Sequence, residues 1–259
     1  MKNDEALALY DQQMRRQMPA DGPTARVERA GRVVRQVGEP HDWCGVVWSD
    51  LDADSADAEI EAQLRHFADT GHEFEWKHYA HDRPADLAER LLAAGFTAEP
   101  AESLMVAEIR DLPTEVVLPE GVHLLPVTDG HGVDLLVDVH EQVFGTDGSR
   151  IGNRVRSQLA ESPDTLSVVL AMAGDQPVCG ARIDFTPGTD FAGLWGGGTL
   201  PAWRGKGIYR ALVAHRAALA AARGYRFLQV DASDQSSPIL ARLGFATLST
   251  TTPYLYRYR

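Results

Sequence analysis

Between Leu166 and Ala232 the order of apolar runs and breaks leaves few folds open. Three runs, LSVVLAMAG, QPVCGARIDFTPG and DFAGLWGGGTLP, are separated only by the turn-rich breaks AGDQP and TPGTD. Links this short join antiparallel neighbours. A helical pattern then begins near Lys206, with Ile208, Ala211, Leu212, His215, Leu219 and Ala222 recurring at helical spacing until Gly224. The next run, YRFLQVDAS, is strand-like again. A helix between two strands demands a right-handed crossover to a parallel neighbour. The expectation is a mixed, mostly antiparallel α/β (α+β) sheet flanked by helices.

The surrounding sequence extends this pattern. GVHLLPVT reads as a strand. HGVDLLVDVHEQVFG reads as a helix ended by Gly145, and SRIGNRVRSQLAES as a helix capped by Ser149. SSPILARLG is a short helix with Pro238 in its first turn and Gly244 as its stop, and FATLSTTTPYLYRYR supplies one or two last strands. A boundary falls in IRDLPTEVVLPEGVHLLPV, which holds Pro113, Pro119 and Pro126, so two domains are expected, 1–117 and 118–259. The first half partly repeats the second. GHEFEWKHYAHDRPADLAERLLAAGF lies against GYRFLQVDASDQSSPILARLGF, and DAEIEAQLRHFADTG matches the position of the long helix.

Charge is unevenly divided. The net charge is −12, and residues 1–117 carry all of the excess, with 12 Lys+Arg against 24 Asp+Glu. Such a chain repels phosphate backbones, so no nucleic-acid partner is expected. No apolar stretch approaches a membrane span or a signal-peptide core, so a cytoplasmic protein without a membrane partner is expected. Cys44 and Cys179 read as buried small hydrophobes. His72, His78 and His81 do not share one strand face and have no cysteine nearby, so no metal is expected.

The chemistry concentrates at PAWRGKGIYRALVAHR, where Arg204, Gly205, Lys206 and Gly207 stand at the start of the long helix. Helix N-termini present unpaired N–H groups and a partial positive charge, and glycines let backbone approach phosphate oxygens. The P-loop pattern fails because Leu200 stands at its first glycine. The dinucleotide pattern fails because Arg210 stands at its third. LPAWRGKGIYRAL resembles instead the acetyl-CoA loop of the GCN5-related N-acetyltransferases, Arg/Gln-x-x-Gly-x-Gly/Ala, with Arg204 first, Gly207 central and Tyr209 in the last place. ASDQSSPILARLGF resembles the family's later strand and helix, with Ser233 where Asn is common. The resemblance covers residues 118–259, and the first half resembles a degenerate second copy, giving two tandem domains of this kind.

The resemblance implies transfer of an acetyl group from acetyl-CoA to an amine of a small molecule or peptide. It implies cofactor contacts from Gly198, Thr199 and Leu200, whose amides would hold the pantetheine arm. It adds the loop Arg204, Gly205, Lys206, Gly207, Ile208 and Tyr209, together with Ser233. Two groups common in the family are missing: no carboxylate lies between Asp190 and Arg204, and Leu240 occupies the place of a tyrosine acid. Asp184 and Asp190 flank the strand as bases acting through water, and Tyr254 is the candidate acid. The competing reading is an acyl-CoA-binding sensor or scaffold that has lost turnover. The acidic DADSAD, opposite RGKGIY in the internal repeat, would repel a diphosphate.

Overall fold

A computed structural model describes residues 2–39, 42–69, 71 and 73–258. Along the chain run helix α1 (Asn3–Tyr10), which continues into a π-helical turn (Asp11–Arg16), strands β1 (Arg26–Ala30), β2 (Val33–Val37) and β3 (Gly45–Ser49), helix α2 (Ala56–Ala68), β4 (Phe74–Tyr79), α3 (Leu87–Ala93), β5 (Thr97–Ala98) and β6 (Glu102–Glu108). Then follow β7 (Val122–Pro126), α4 (Gly130–Phe144), α5 (Ser149–Glu161), β8 (Leu166–Ala173), β9 (Gln176–Phe185), β10 (Phe191–Thr199), α6 (Ile208–Ala222), β11 (Phe227–Ala232), α7 (Ser237–Leu243) and β12 (Ala246–Tyr256). Within the ending FATLSTTTPYLYRYR, Ala246–Tyr256 is thus one long strand.

The chain forms two compact units, each made of discontinuous segments. One comprises 1–105, 231–238 and 247–259, and the other 106–230 and 239–246. A single cut after residue 117 does not describe them, because the last strand lies with the first unit.

In the first unit β1, β2 and β3 form an antiparallel meander, and α2 carries the chain over to β4, parallel to β3 at Gly45–Glu75 and Val46–Trp76. β12 pairs antiparallel with β4, Tyr254 opposite Trp76. Apolar burial recruits this distant strand: Tyr254 is buried with Val46, Phe67, Phe74, Trp76 and Leu91, while Tyr256 and Tyr258 pack against the same cluster. Each such side chain contributes roughly 1.5–3 kcal/mol on burial. Two polar devices hold the rest. Arg15 is 1 % exposed, donates to the Val47 carbonyl (3.0 Å), and is ion-paired to Asp82 (2.6 Å) and Asp11 (2.8 Å). Ahead of α2, Asp52 accepts from the backbone N–H groups of Asp54 (3.2 Å) and Ser55 (2.9 Å) and from Arg32 (2.9 Å). The Ser55 hydroxyl, donating to the same carboxylate (2.7 Å), depresses the Asp52 carboxyl most, followed by Arg32 and the Ser55 N–H, to about 2.

In the second unit the sheet order is β7-β8-β9-β10-β11, antiparallel except for the parallel pair β10–β11 across α6. Both faces of the sheet are covered. Val168 and Leu170 pack with Val133 and Leu136 of α4, whereas Val169 and Ala171 pack with Ile208 and Leu212 of α6. That explains why β8 reads as an unbroken apolar run rather than an alternation. Gly145 ends α4 in the left-handed region, at φ 69°. At the start of α5 the expected cap is reversed: the Asp147 carboxylate accepts from the Ser149 N–H (2.8 Å) and hydroxyl (3.0 Å). Cys44 and Cys179 are both buried.

Candidate functional site

β10 is the element that shapes the site. Its parallel register with β11 covers only Phe191–Gly193 against Phe227–Gln229. Further along, its register is with β9, and a bulge intervenes between Trp195 and Gly198. Gly196 supplies the bulge with φ 60°, which a residue with a Cβ rarely adopts. The next two glycines are demanded by packing. A Cβ on Gly197 would lie 2.9 Å from the Tyr209 ring, and one on Gly198 would lie 2.8 Å from Val143 and 3.1 Å from Phe144. The backbone of β10 is thus gripped between the first turn of α6 and the last turn of α4. Its edge on the β11 side stays open past Gly193.

The amides expected to hold the pantetheine arm are not equivalent. The N–H of Leu200 donates to the Val178 carbonyl (2.9 Å), and the Leu200 side chain is buried, so Leu200 offers no donor. Backbone direction alternates along a strand, which turns Thr199 towards the opposite edge. Arg204 Nε accordingly donates to the Thr199 carbonyl (3.1 Å).

A 3-10 turn, Pro201–Trp203, leads from β10 to α6. Gly205 (φ 75°) and Gly207 (φ 85°) are both left-handed, and Gly207 is the N-cap of α6 rather than a member of its first turn. Among the described residues no side chain caps this helix. The first intrahelical bond runs from Ala211 N–H to the Gly207 carbonyl, which leaves the N–H groups of Ile208, Tyr209 and Arg210 without an intrahelical acceptor. Arg204 and Lys206 are exposed, and neither is ion-paired among the described residues; Lys206 Nζ lies 4.3 Å from the Trp203 ring centre. An uncapped helix end, two left-handed glycines and two unpaired cations fit a diphosphate. The bulk of Tyr209 does not obstruct this approach, because its ring lies against Gly197.

The remaining expected residues fall elsewhere. Ile208 is a core residue, so only its backbone faces the helix end. Asp184 on β9 is paired with Arg182 (2.9 Å) and Arg154 (3.9 Å). The Asp190 carbonyl accepts from the N–H groups of Arg226 (3.0 Å) and Phe227 (2.9 Å), tying the start of β10 to β11. Ser233 closes a turn in which its hydroxyl meets that of Ser236 (3.3 Å), and it is grouped with the first unit. Tyr254 is likewise part of the first unit, 6 % exposed and edge-on to His78 (5.8 Å between ring centres), with burial raising its phenol. His81 is bound to Asp11 (3.0 Å) and Ser249 (2.9 Å); His72 lies outside the described residues. Among the described residues no group of three or more His, Cys, Asp or Glu is placed to hold a metal ion.

One further side chain of this unit lies outside the set expected from the sequence. On α6 the residue that sinks into the core is Arg216, 1 % exposed, while the neighbouring His215 is half-buried. Ile208, Leu212 and Arg216 recur every four residues, so the helical stripe itself marks the position. Arg216 donates from Nε to the Leu212 carbonyl and from Nη1 to the Arg182 carbonyl, both at 3.0 Å.

Comparison with known proteins bears on this arrangement. Residues 134–245 match the model of the Acetyltransferase (GNAT) family. A GCN5-related N-acetyltransferase from Kribbella flavida is 19% identical, with 91% of each chain covered and a TM-score of 0.67. A functionally unknown conserved protein from Staphylococcus epidermidis is 16% identical, covering 94% of this chain and 97% of its own, with a TM-score of 0.69. A tandem GNAT protein from the clavulanic acid biosynthesis pathway is 14% identical, covering 92% and 84%, with a TM-score of 0.60. No curated protein matches the chain in sequence. Among the described residues no helix is long and apolar enough to cross a membrane. Residues 134–245 are thus similar to the Acetyltransferase (GNAT) family, and the architecture is a mixed α/β, GNAT-like fold.

Proposed function

We propose that the protein is an acetyl-CoA-dependent N-acetyltransferase working in the cytoplasm on an amine of a small molecule or peptide. The observation that carries this reading is the α6 N-terminus: uncapped, led by Gly205 and Gly207 in the left-handed region, and flanked by unpaired Arg204 and Lys206. These groups bind the diphosphate, and Thr199 with the Gly196–Gly198 bulge lies along the pantetheine arm. When bound, the thioester supplies an activated acetyl group. Fixed backbone donors on β10 polarise its carbonyl without reorganisation. The Asp184–Arg182–Arg154 network orients the acceptor side and takes the amine's proton through water, and the leaving sulfur is protonated from solvent.

The first half is a degenerate copy in a tandem arrangement. Its internal chemistry supports this. Asp52 occupies the backbone N–H groups ahead of α2, where a diphosphate would need to bind. Arg15 occupies the Val47 carbonyl of β3 beyond the short parallel pairing with β4. The likeness to a tandem GNAT protein agrees with it.

A second reading, an acyl-CoA sensor, is favoured by two observations: Leu240, fully buried, stands where a tyrosine acid is common, and β10 carries no carboxylate. Thiol release from acetyl-CoA across a panel of amines separates the two. Amine-dependent release establishes the enzyme. Stabilisation by CoA without any turnover establishes the sensor.

A further inference from the structure

Arg216 presents a problem that folding alone does not answer. A buried guanidinium is costly unless an anion or a full set of acceptors meets it. Here Nε and Nη1 are satisfied by carbonyls of Leu212 and Arg182, but Nη2 has no partner among the described residues. The titratable groups that face it are Tyr209 and His215 on its own helix and Cys179 on β9; none is a carboxylate. The Cys179 thiol is held by Thr199 Oγ1 (3.1 Å) and pushed up to about 11, mainly by burial, so it remains protonated. The unpaired nitrogen points at the bulge of β10: it lies 3.7 Å from where a Cβ on Gly197 would stand. With no side chain at Gly197, the Tyr209 ring edge, 2.9 Å from the same point, is the nearest neighbour of the cation at the bulge.

We infer that Arg216, lodged beneath Gly197 with one unpartnered N–H pair, is a positioning residue whose charge holds the sulfur of coenzyme A as its thiolate. This rests on the reading of β10 as the strand along which the pantetheine arm lies. The acceptor nitrogen forms a C–N bond to the acetyl carbon. The C–S bond breaks, and its electron pair leaves on sulfur. The nitrogen sheds one proton to water or to the Asp184 network. With a buried cation beneath the strand, the sulfur departs as an anion before any acid reaches it. That is chemistry a fold with Leu240 in place of a tyrosine acid requires.

The test is a pH titration of CoA bound to the full chain, followed by the ultraviolet absorbance of the thiolate with desulfo-CoA as blank. In the wild type and in Arg216→Lys the bound thiol should titrate at least about one pH unit below free CoA, as beside a nearby opposite charge. In Arg216→Met it should titrate at or above the free value. Affinity for CoA at pH values where the thiol is neutral should stay within about threefold. A purely structural arginine would leave the titration of the bound thiol unshifted in the wild type and unchanged in Arg216→Met, and either result overturns the inference. If Arg216→Met fails to fold, the wild-type titration decides alone. A wild-type chain that binds no CoA at all overturns the functional reading itself.

Discussion

The sharpest probe of the α6 threshold is a pair of substitutions at Gly207, Gly207→Ala and Gly207→Glu. Gly207 has φ 85°, and a Cβ built there meets only Arg210 Nη2, at 3.6 Å, an ordinary contact. Neither variant therefore suffers a clash, and both meet the same backbone cost of roughly 1–2 kcal/mol for a left-handed residue with a Cβ. For a chain of this size that lowers Tm by roughly 2–8 °C. The carboxylate of Gly207→Glu also faces an uncapped helix end, which returns about 0.3–1 kcal/mol. Empty, then, both variants should melt below wild type, with the Glu variant no worse than the Ala one. With CoA they part. Ligand at 100 times its Kd stabilises by about 2.7 kcal/mol. Gly207→Ala should retain most of that gain, whereas Gly207→Glu puts negative charge where phosphate oxygens bind and should lose nearly all of it. Differential scanning fluorimetry with and without CoA reads both quantities. If the Glu variant keeps the same CoA-dependent shift as the Ala variant, the helix end is an ordinary turn.

Other consequences follow from the two units. Arg15→Met strips a buried ion pair and leaves Asp82 uncompensated, so urea unfolding should show a loss of about 3–5 kcal/mol; a loss below about 1 kcal/mol would show that the pair is not structural. Glu102 is pushed up to about 7, first by burial and then by Asp231, with Lys77 opposing. Its stability contribution is therefore complete below its ordinary value and lost as pH rises through about 7. Glu102→Gln should gain on wild type by about 1–2 kcal/mol between pH 5 and pH 8, the figure being reduced for partial exposure; a pH-independent difference contradicts the assignment.

Residues whose role is local were legible in the sequence. Gly145 stops α4 because only its backbone reaches the left-handed region without strain. The breaks AGDQP and TPGTD give hairpins because no other connection is that short. Gly205 and Gly207 stand out because a plain turn needs neither the second glycine nor the cations. Long-range choices were not legible. The alternation of Tyr254, Tyr256 and Tyr258 predicts a strand with an aromatic face, but nothing in it names β4 as the partner; burial against Phe74 and Trp76 decides that. Arg216 was hidden because a charged residue in an alanine-rich helix reads as a solvent contact, and only the stripe Ile208–Leu212–Arg216 places it inside. By its place in the sequence Leu200 is an expected amide donor, but strand alternation turns its N–H to Val178.

The reading as a whole turns on where acetyl-CoA binds and how many sites the chain offers. Calorimetric titration of acetyl-CoA into the full chain and into an Arg204→Glu/Lys206→Glu variant measures both at once. Arg204 and Lys206 are exposed and form no ion pair among the described residues, and Arg204 gives up one surface bond to the Thr199 carbonyl, so the double variant should fold and melt close to wild type. The expected result is one site per chain in the wild type and none detectable in the variant. Two comparable sites, or a variant that binds as tightly as wild type, would contradict the assignment of cofactor binding to the α6 threshold of the second unit.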